Sequence, residues 1–163
     1  MTEKTRILFV CLGNIIRSPL SEHMFAHLAE QVGVADNYET DSAGTASYHI
    51  GEEPDSRMRR VAAENGLVYT GSARQVTQSD FNKFDLIVPM DSSNLNNLKR
   101  LARSQADREK LYTLRTFDPF GSASEGVPDP YYGGIDGFQE TFEIVKRSCQ
   151  GLLDALESGD LSV

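Results

Sequence analysis

The chain has 163 residues, with 16 Lys and Arg against 24 Asp and Glu, a formal charge of −8. That balance argues against nonspecific nucleic-acid binding and against an anionic membrane surface, while leaving room for one locally basic pocket. With 39 % hydrophobic and 25 % charged residues, the composition is that of an ordinary globular chain, and the length fits one domain over residues 1–163 with a single sizeable core.

Arg6 to Val10 reads as a short buried strand. The apolar run Ile7 to Leu12 is too short for a signal-peptide core or a membrane span, so no membrane insertion is expected. Pro19 to Val32 reads as a helix, with Leu20, Met24, Leu28 and Val32 on one stripe and Phe25 widening it. Ser18 is the expected N-cap, with Pro19 at the first helical position. Tyr38 to Ala43 is a second strand running into the turn-prone SAGT. Asp55 to Asn65 is a helix with Met58, Val61 and Ala62 inside and Gly66 as its stop. Thr77 and Asp80 box the start of a short helical turn.

Phe84 to Met90 is a third strand, with Pro89 at its end because proline cannot donate to a ladder. Asp91 caps a helix carrying Leu95, Leu98 and Leu101. Leu111 to Leu114 is a fourth strand. The last helix, Gly137 to Glu157, aligns Phe138, Phe142, Val145, Cys149, Leu152 and Leu156, with Asp136 and Gln139 as a capping box. Strands alternating with helices predict a three-layer α/β fold: a four-stranded parallel sheet, order 2-1-3-4, with helices on both faces. Ligands of such sheets sit outside the C-terminal strand ends, and Cys11 lies at one of them. The long stretch FDPFGSASEGVPDPYYGGI, roughly 20 residues, has the length of a functional loop.

The chemistry concentrates in CLGNIIRSP at 11–19. Gly13 and Asn14 permit the backbone angles at which successive N–H groups curl around one anion. The loop then feeds a helix N-terminus, which also favours an anion, and Arg17 adds a fixed, always-charged fork. The same surroundings favour a thiolate on Cys11, the nucleophilic form of cysteine, and Ser18 can donate to the sulfur. Cys11 and Cys149 show neither disulfide-framework nor metal-ligand spacing, which fits a reducing cytoplasm. His23 and His27 stand four apart on a helix, but with His49 they do not form a metal set; no metal or cofactor is expected.

Strand, C-x5-R-S loop and helix together resemble the active-site loop of the low-molecular-weight protein tyrosine phosphatases. The resemblance extends through DSAGT at 41–45, FDLIVPMD at 84–91 and DPYYGG at 129–134, nearly the whole chain. It implies phosphotyrosine hydrolysis through a phosphocysteine on Cys11. Leu12, Gly13, Asn14, Ile15, Ile16, Arg17 and Ser18 would hold the phosphate, and Asp129 would be the general acid and base. Asp118, also before a proline, is the competing carboxylate. Asn14, Ser18 and Ser42 would brace the loop, and Leu12, Tyr48, Tyr131 and Tyr132 would wall the aryl ring. The implied partners are tyrosine-phosphorylated proteins, with inorganic phosphate as product and inhibitor, for a cytoplasmic monomer or weak homodimer that binds no nucleic acid.

Three positions depart from the family pattern. Ile16 replaces a second loop cysteine, which removes a protective disulfide with Cys11. Gly71 stands where eukaryotic members have a loop-supporting histidine. Ile15 occupies the position of a threonine in the family's arginine phosphatases, which weakens a phosphoarginine reading. Two alternatives stay open: an arsenate reductase, which would need Cys149 as a relay thiol, and a catalytically silent phosphoprotein-binding module.

Overall fold

The structure, a computed structural model, describes residues 3–122 and 124–163. In chain order its elements are β1 (Thr5–Cys11), α1 (Arg17–Gln31), β2 (Tyr38–Gly44), α2 (Ser56–Glu64), α3 (Asp80–Lys83), β3 (Leu86–Pro89), α4 (Ser92–Leu101), α5 (Gln105–Arg108) and α6 (Ile135–Ser158). Short 3-10 turns cover Ala35–Asn37 and Leu114–Phe117. Ala123, inside the stretch expected to be a long loop, lies outside the described residues.

β1 is the middle strand of a parallel sheet ordered β2-β1-β3. Its residues alternate between two apolar layers, as a strand covered on both faces requires. Ile7, Phe9 and Cys11 join the cluster formed with α1, α2 and α6, while Leu8 and Val10 join Phe81 and Leu98 from α3 and α4. The register pairs Val10 with Ala43 and Pro89, and Cys11 with Gly44. The C-terminal ends of all three strands therefore converge where the loop at 11–17 begins.

The expected fourth strand does not form. Leu111 makes a single parallel bridge to Ile87, through Ile87 N to Lys110 O at 2.9 Å and Tyr112 N to Ile87 O at 3.2 Å. The next rung would need an N–H on residue 89, and Pro89 has none. The chain instead turns into the 3-10 segment from Leu114. The sheet thus has three strands, and the order 2-1-3-4 shortens to 2-1-3.

Two helix starts also differ from expectation. α1 begins at Arg17, with Ile16 at the cap position and no side-chain cap; Ser18 falls inside the first turn. α6 begins at Ile135 after Gly134, again without a side-chain cap, so Asp136 acts on the helix dipole rather than as a capping box. Asp55 and Asp91 do cap α2 and α4: Asp55 accepts from Arg57 N and Met58 N, and Asp91 accepts from Asn94 N.

Candidate active site

The loop after β1 is built by its neighbours. The carbonyls of Cys11, Leu12 and Ile15 accept from the amides of Thr45, Ala46 and Asp55 at 2.9, 3.0 and 2.8 Å. A trans peptide points its N–H opposite to its C=O, so these outward carbonyls aim the N–H groups of Leu12, Gly13 and Ile16 the other way. Asn14 adopts φ 57°, a left-handed conformation open to asparagine at modest strain. Gly44 makes the close approach of β2 possible, because a Cβ there would stand 2.7 Å from the Leu12 carbonyl oxygen.

Cys11 is buried, at 3 % exposure, and its sulfur is held by two polar groups. It accepts from Asn14 N at 3.3 Å and lies 3.0 Å from the Ser18 hydroxyl. Asn14 Nδ2 in turn donates to Ser18 Oγ at 2.9 Å, while Arg74 N donates to Asn14 Oδ1 at 2.9 Å. With one of its acceptor positions taken by Asn14, the Ser18 hydroxyl has its single proton to give either to the sulfur or to the Ala43 carbonyl, 3.4 Å away. That is why Ser18 serves the loop and leaves the helix uncapped.

Arg17 is equally buried, and one of its guanidinium nitrogens is held by two hydrogen bonds. Its Nη1 donates to Asp91 Oδ2 at 2.7 Å and to the Val127 carbonyl at 3.0 Å. Its Nη2 stands 3.6 Å from Asp129 Oδ2. Cys11, Arg17, Asp129 and the aromatic side chains of Tyr48, Tyr131 and Tyr132 line one cavity of about 340 Å³, with Leu12, Gly13, Ile15 and Ile16 at its floor and side. Tyr48 and Tyr132 are largely exposed, whereas Tyr131 packs edge-on against Tyr132 and under the Arg57 guanidinium. Asp129 caps its own turn, accepting from Tyr131 N at 3.1 Å, and Thr141 of α6 donates to the Pro128 carbonyl at 3.2 Å.

The competing carboxylate has another role. Asp118 is buried, ion-paired to Arg115 at 3.1 Å and to Arg147 at 2.8 Å. Burial pushes its carboxyl up, but the Arg147 hydrogen bond, the Phe120 amide and the two guanidinium charges outweigh that and hold it below the usual range. Arg115 then donates to the Gly126 carbonyl at 3.2 Å, so this network anchors the stretch leading to Val127 and Asp129.

Ser42 was expected to brace the loop with Asn14. Its hydroxyl donates instead to Glu22 Oε1 at 2.7 Å, and the bonds of Asn14 run to Ser18 and Arg74. Three further groups escaped the sequence reading. Asp91 was read only as a helix cap, although its place after β3, beside the end of β1, was the available signal. His49 lines the cavity and packs so close to Gly13 that a Cβ there would meet its ring at 2.8 Å; nothing in its sequence context marks it. Arg74, paired with Asp41 and Asp80, carries the amide that holds Asn14.

Among the described residues no group of three or more His, Cys, Asp or Glu side chains is placed to hold a metal ion, and no helix is long and apolar enough to cross a membrane. His23 stacks on Tyr69 at 5.1 Å between ring centroids. Cys149 is fully buried, its thiol facing the Ser21 carbonyl at 3.7 Å, and burial pushes that thiol far up.

Comparison with known proteins agrees with this geometry. Residues 6–160 match the family model described as low molecular weight phosphotyrosine protein phosphatase. The chain belongs to that family. A low molecular weight protein-tyrosine-phosphatase of Streptomyces coelicolor is 44 % identical over 152 residues, 93 % of each chain. The human low molecular weight phosphotyrosine protein phosphatase is 37 % identical over 149 residues, 91 % of this chain and 93 % of that one. A crystal structure of a protein tyrosine phosphatase from Entamoeba histolytica superposes with a TM-score of 0.92 at 39 % identity, covering 97 % of this chain and 100 % of the other. The family's members are hydrolases, and in this one Cys11 and Arg17 occupy a buried site of matching chemistry.

Proposed function

We propose that this phosphatase hydrolyses phosphotyrosine and small aryl phosphates through a phosphocysteine on Cys11. The observation that carries the reading is the Cys11 sulfur, met by an amide and a hydroxyl, at the base of a cavity walled by Arg17 and Asp129. In the first step the sulfur attacks phosphorus, the S–P bond forms and the P–O bond to the aryl group breaks. Asp129, entering as the carboxylic acid, gives its proton to the departing phenolate oxygen. Arg17 and the inward N–H groups hold the remaining phosphoryl oxygens.

In the second step water attacks phosphorus and yields its proton to the Asp129 carboxylate. The S–P bond breaks, inorganic phosphate leaves and the thiolate returns. The tyrosine walls suit an aryl ring, whose length carries phosphorus to the sulfur; a phosphoserine stem is shorter. On this reading the partners are tyrosine-phosphorylated proteins, phosphate is both product and inhibitor, and the setting is a cytoplasm in which the protein is a monomer or weak homodimer.

Cys11→Ser is the deciding variant. It is expected to abolish aryl phosphate turnover and the initial burst of phenol release; turnover at the unaltered rate would end the proposal. Arsenate reduction is disfavoured by the core position of Cys149, whose thiol faces a carbonyl of α1 and is held protonated by burial.

A further inference from the structure

The turn that carries Asp129 and Tyr131 has few ties to the rest of the protein. Tyr131 N donates to Asp129 Oδ1 at 3.1 Å and Gly133 N to the Pro130 carbonyl at 2.9 Å. Both bonds close within the turn. Among the described residues, no hydrogen bond links residues 130–133 to β1, α1 or α2. Outside the turn, the Tyr131 ring is held by two side chains. The His49 ring stands tilted at 6.2 Å between centroids. The central carbon of the Arg57 guanidinium lies 5.5 Å from the Tyr131 centroid.

Arg57 is itself fixed from behind. It is the second residue of α2, just past the cap Asp55. Its Nε and Nη2 donate to Asp55 Oδ1 and Oδ2 at 3.3 and 3.0 Å. The Asp55 amide in turn donates to the Ile15 carbonyl of the phosphate loop at 2.8 Å. A guanidinium bonds in its plane and stacks across its faces. With its edge on Asp55, its faces are left for rings, and it meets two. Phe138, buried on α6, lies 4.7 Å from the same central carbon. Both distances fall within the roughly 6 Å reach of a cation–π contact.

Arg57 does not line the reaction cavity. The ring it touches, however, is a wall of the aryl slot, and the amide of that same tyrosine holds Asp129. One guanidinium thus joins α2 and the start of α6 to the turn on which both groups ride.

We propose that Arg57 is a positioning residue for this phosphatase: stacked on Tyr131, it sets the wall that receives the aryl ring and, through the Tyr131 amide, the carboxyl that protonates the leaving oxygen. This role rests on Tyr131 walling the slot and on Asp129 giving the proton, and it adds what holds the two in place. Without the stack the turn drifts and the carboxyl leaves its position. Turnover then comes to depend on how well the leaving group departs unaided. Lysine is no substitute, because an ammonium has no plane with which to grip both Asp55 oxygens while showing a flat face to two rings.

Steady-state kinetics on two substrates read this role. The phenol of phenyl phosphate needs a proton to leave; the phenol of para-nitrophenyl phosphate needs one far less. Arg57→Gln and Arg57→Lys are each expected to lower kcat on phenyl phosphate by about 3–10-fold more than on the nitrophenyl ester. General loosening of the fold would lower both alike. In a Tyr131→Leu background, which has no ring to stack on, the same Arg57 substitutions are expected to add no such difference. Equal losses on the two substrates with Tyr131 in place would overturn the proposal. So would a selective loss that persists in the Tyr131→Leu background, or full activity in Arg57→Lys. Tyr131→Leu alone is expected to reproduce the selective loss, and it decides should the Arg57 variants fail to fold: equal losses from that change would overturn the proposal too. No turnover of either substrate by the unaltered protein would sink the phosphatase reading itself, whereas turnover with no leaving-group response to Arg57 sinks only the role of Arg57.

Discussion

Arg17 is held from behind by Asp91: the Nη1 to Oδ2 separation is 2.7 Å. The same guanidinium reaches Asp129 only at 3.6 Å. The short contact fixes the fork, and the longer one is loose enough for an incoming phosphoryl group to replace it. On the proposed mechanism Asp91 is the permanent counter-ion and Asp129 a temporary one. An exposed carboxylate released from a cation as substrate enters is well placed to handle a proton.

Asp129→Asn should lower kcat by ~100-fold or more on phenyl phosphates with poor leaving groups, the usual loss for a missing general acid. The loss should shrink for leaving groups that depart without a proton. Steady-state kinetics across a series of substituted aryl phosphates checks this; equal losses along the series would remove Asp129 from the role.

Asp91 combines two tasks that substitutions can separate. Asparagine caps helices as well as aspartate, so Asp91→Asn should keep the Asn94 N–H satisfied while losing the charge on Arg17. The expected result is a kcat/KM reduced by ~10–100-fold from a misplaced fork, with a lowered Tm because the buried Arg17 loses its close carboxylate. Asp91→Ala should lose a further ~1 kcal/mol of stability as the cap disappears. Full activity in the asparagine variant would show that Arg17 needs no anion behind it.

Asp118→Asn should show the reverse pattern. Removing a buried carboxylate charge leaves Arg147 without its ion-pair partner and Arg115 with only the exposed Glu125 at 3.3 Å, a loss of about 3 kcal/mol, while aryl phosphate turnover persists. The folded carboxyl lies below its ordinary range, so its stabilising effect is present above the unfolded pKa near 3.8 and fades as pH falls through the folded value. Urea melts at pH 7 and at pH 3 should therefore show wild type and variant converging in acid. A constant gap would contradict the assignment.

Glu22 titrates with the opposite sign. Burial lifts its folded value to about 7, above the unfolded 4.5, so the native state holds a proton that the unfolded chain has released. Stability is full below about pH 4.5 and declines as pH rises through 7, by at most roughly 3 kcal/mol. Relative to E22Q, the wild-type Tm should fall between pH 5 and pH 8; parallel curves would mean that the carboxyl ionises as freely in the folded protein as in the unfolded one.

Much of this architecture could be read from side-chain patterns. Unbroken apolar stretches marked β1 and β3 as strands covered on both faces, and the long stripe from Phe138 to Leu156 marked α6. Leu111 to Leu114 misled because strand character was judged from its own residues, whereas pairing depended on a neighbour, Pro89. Ser18 and Asp136 misled in another way: each has the composition of a cap, but the chain around each starts its helix one or more residues earlier. Within the site, residues close in sequence were readable because one loop carries them. Asp91, Glu22, His49 and Arg74 come from separate elements, and only folding brings them to the loop.

Pro89 has a consequence beyond the count of strands. A sheet margin with a run of free donors and acceptors invites another chain to add itself, the first step toward fibrous association. Here the outer margin of β3 offers Ile87 already taken by Lys110 and Tyr112, followed by a ring nitrogen with nothing to give. The residue that ends the ladder inside one molecule thereby also denies it to a second.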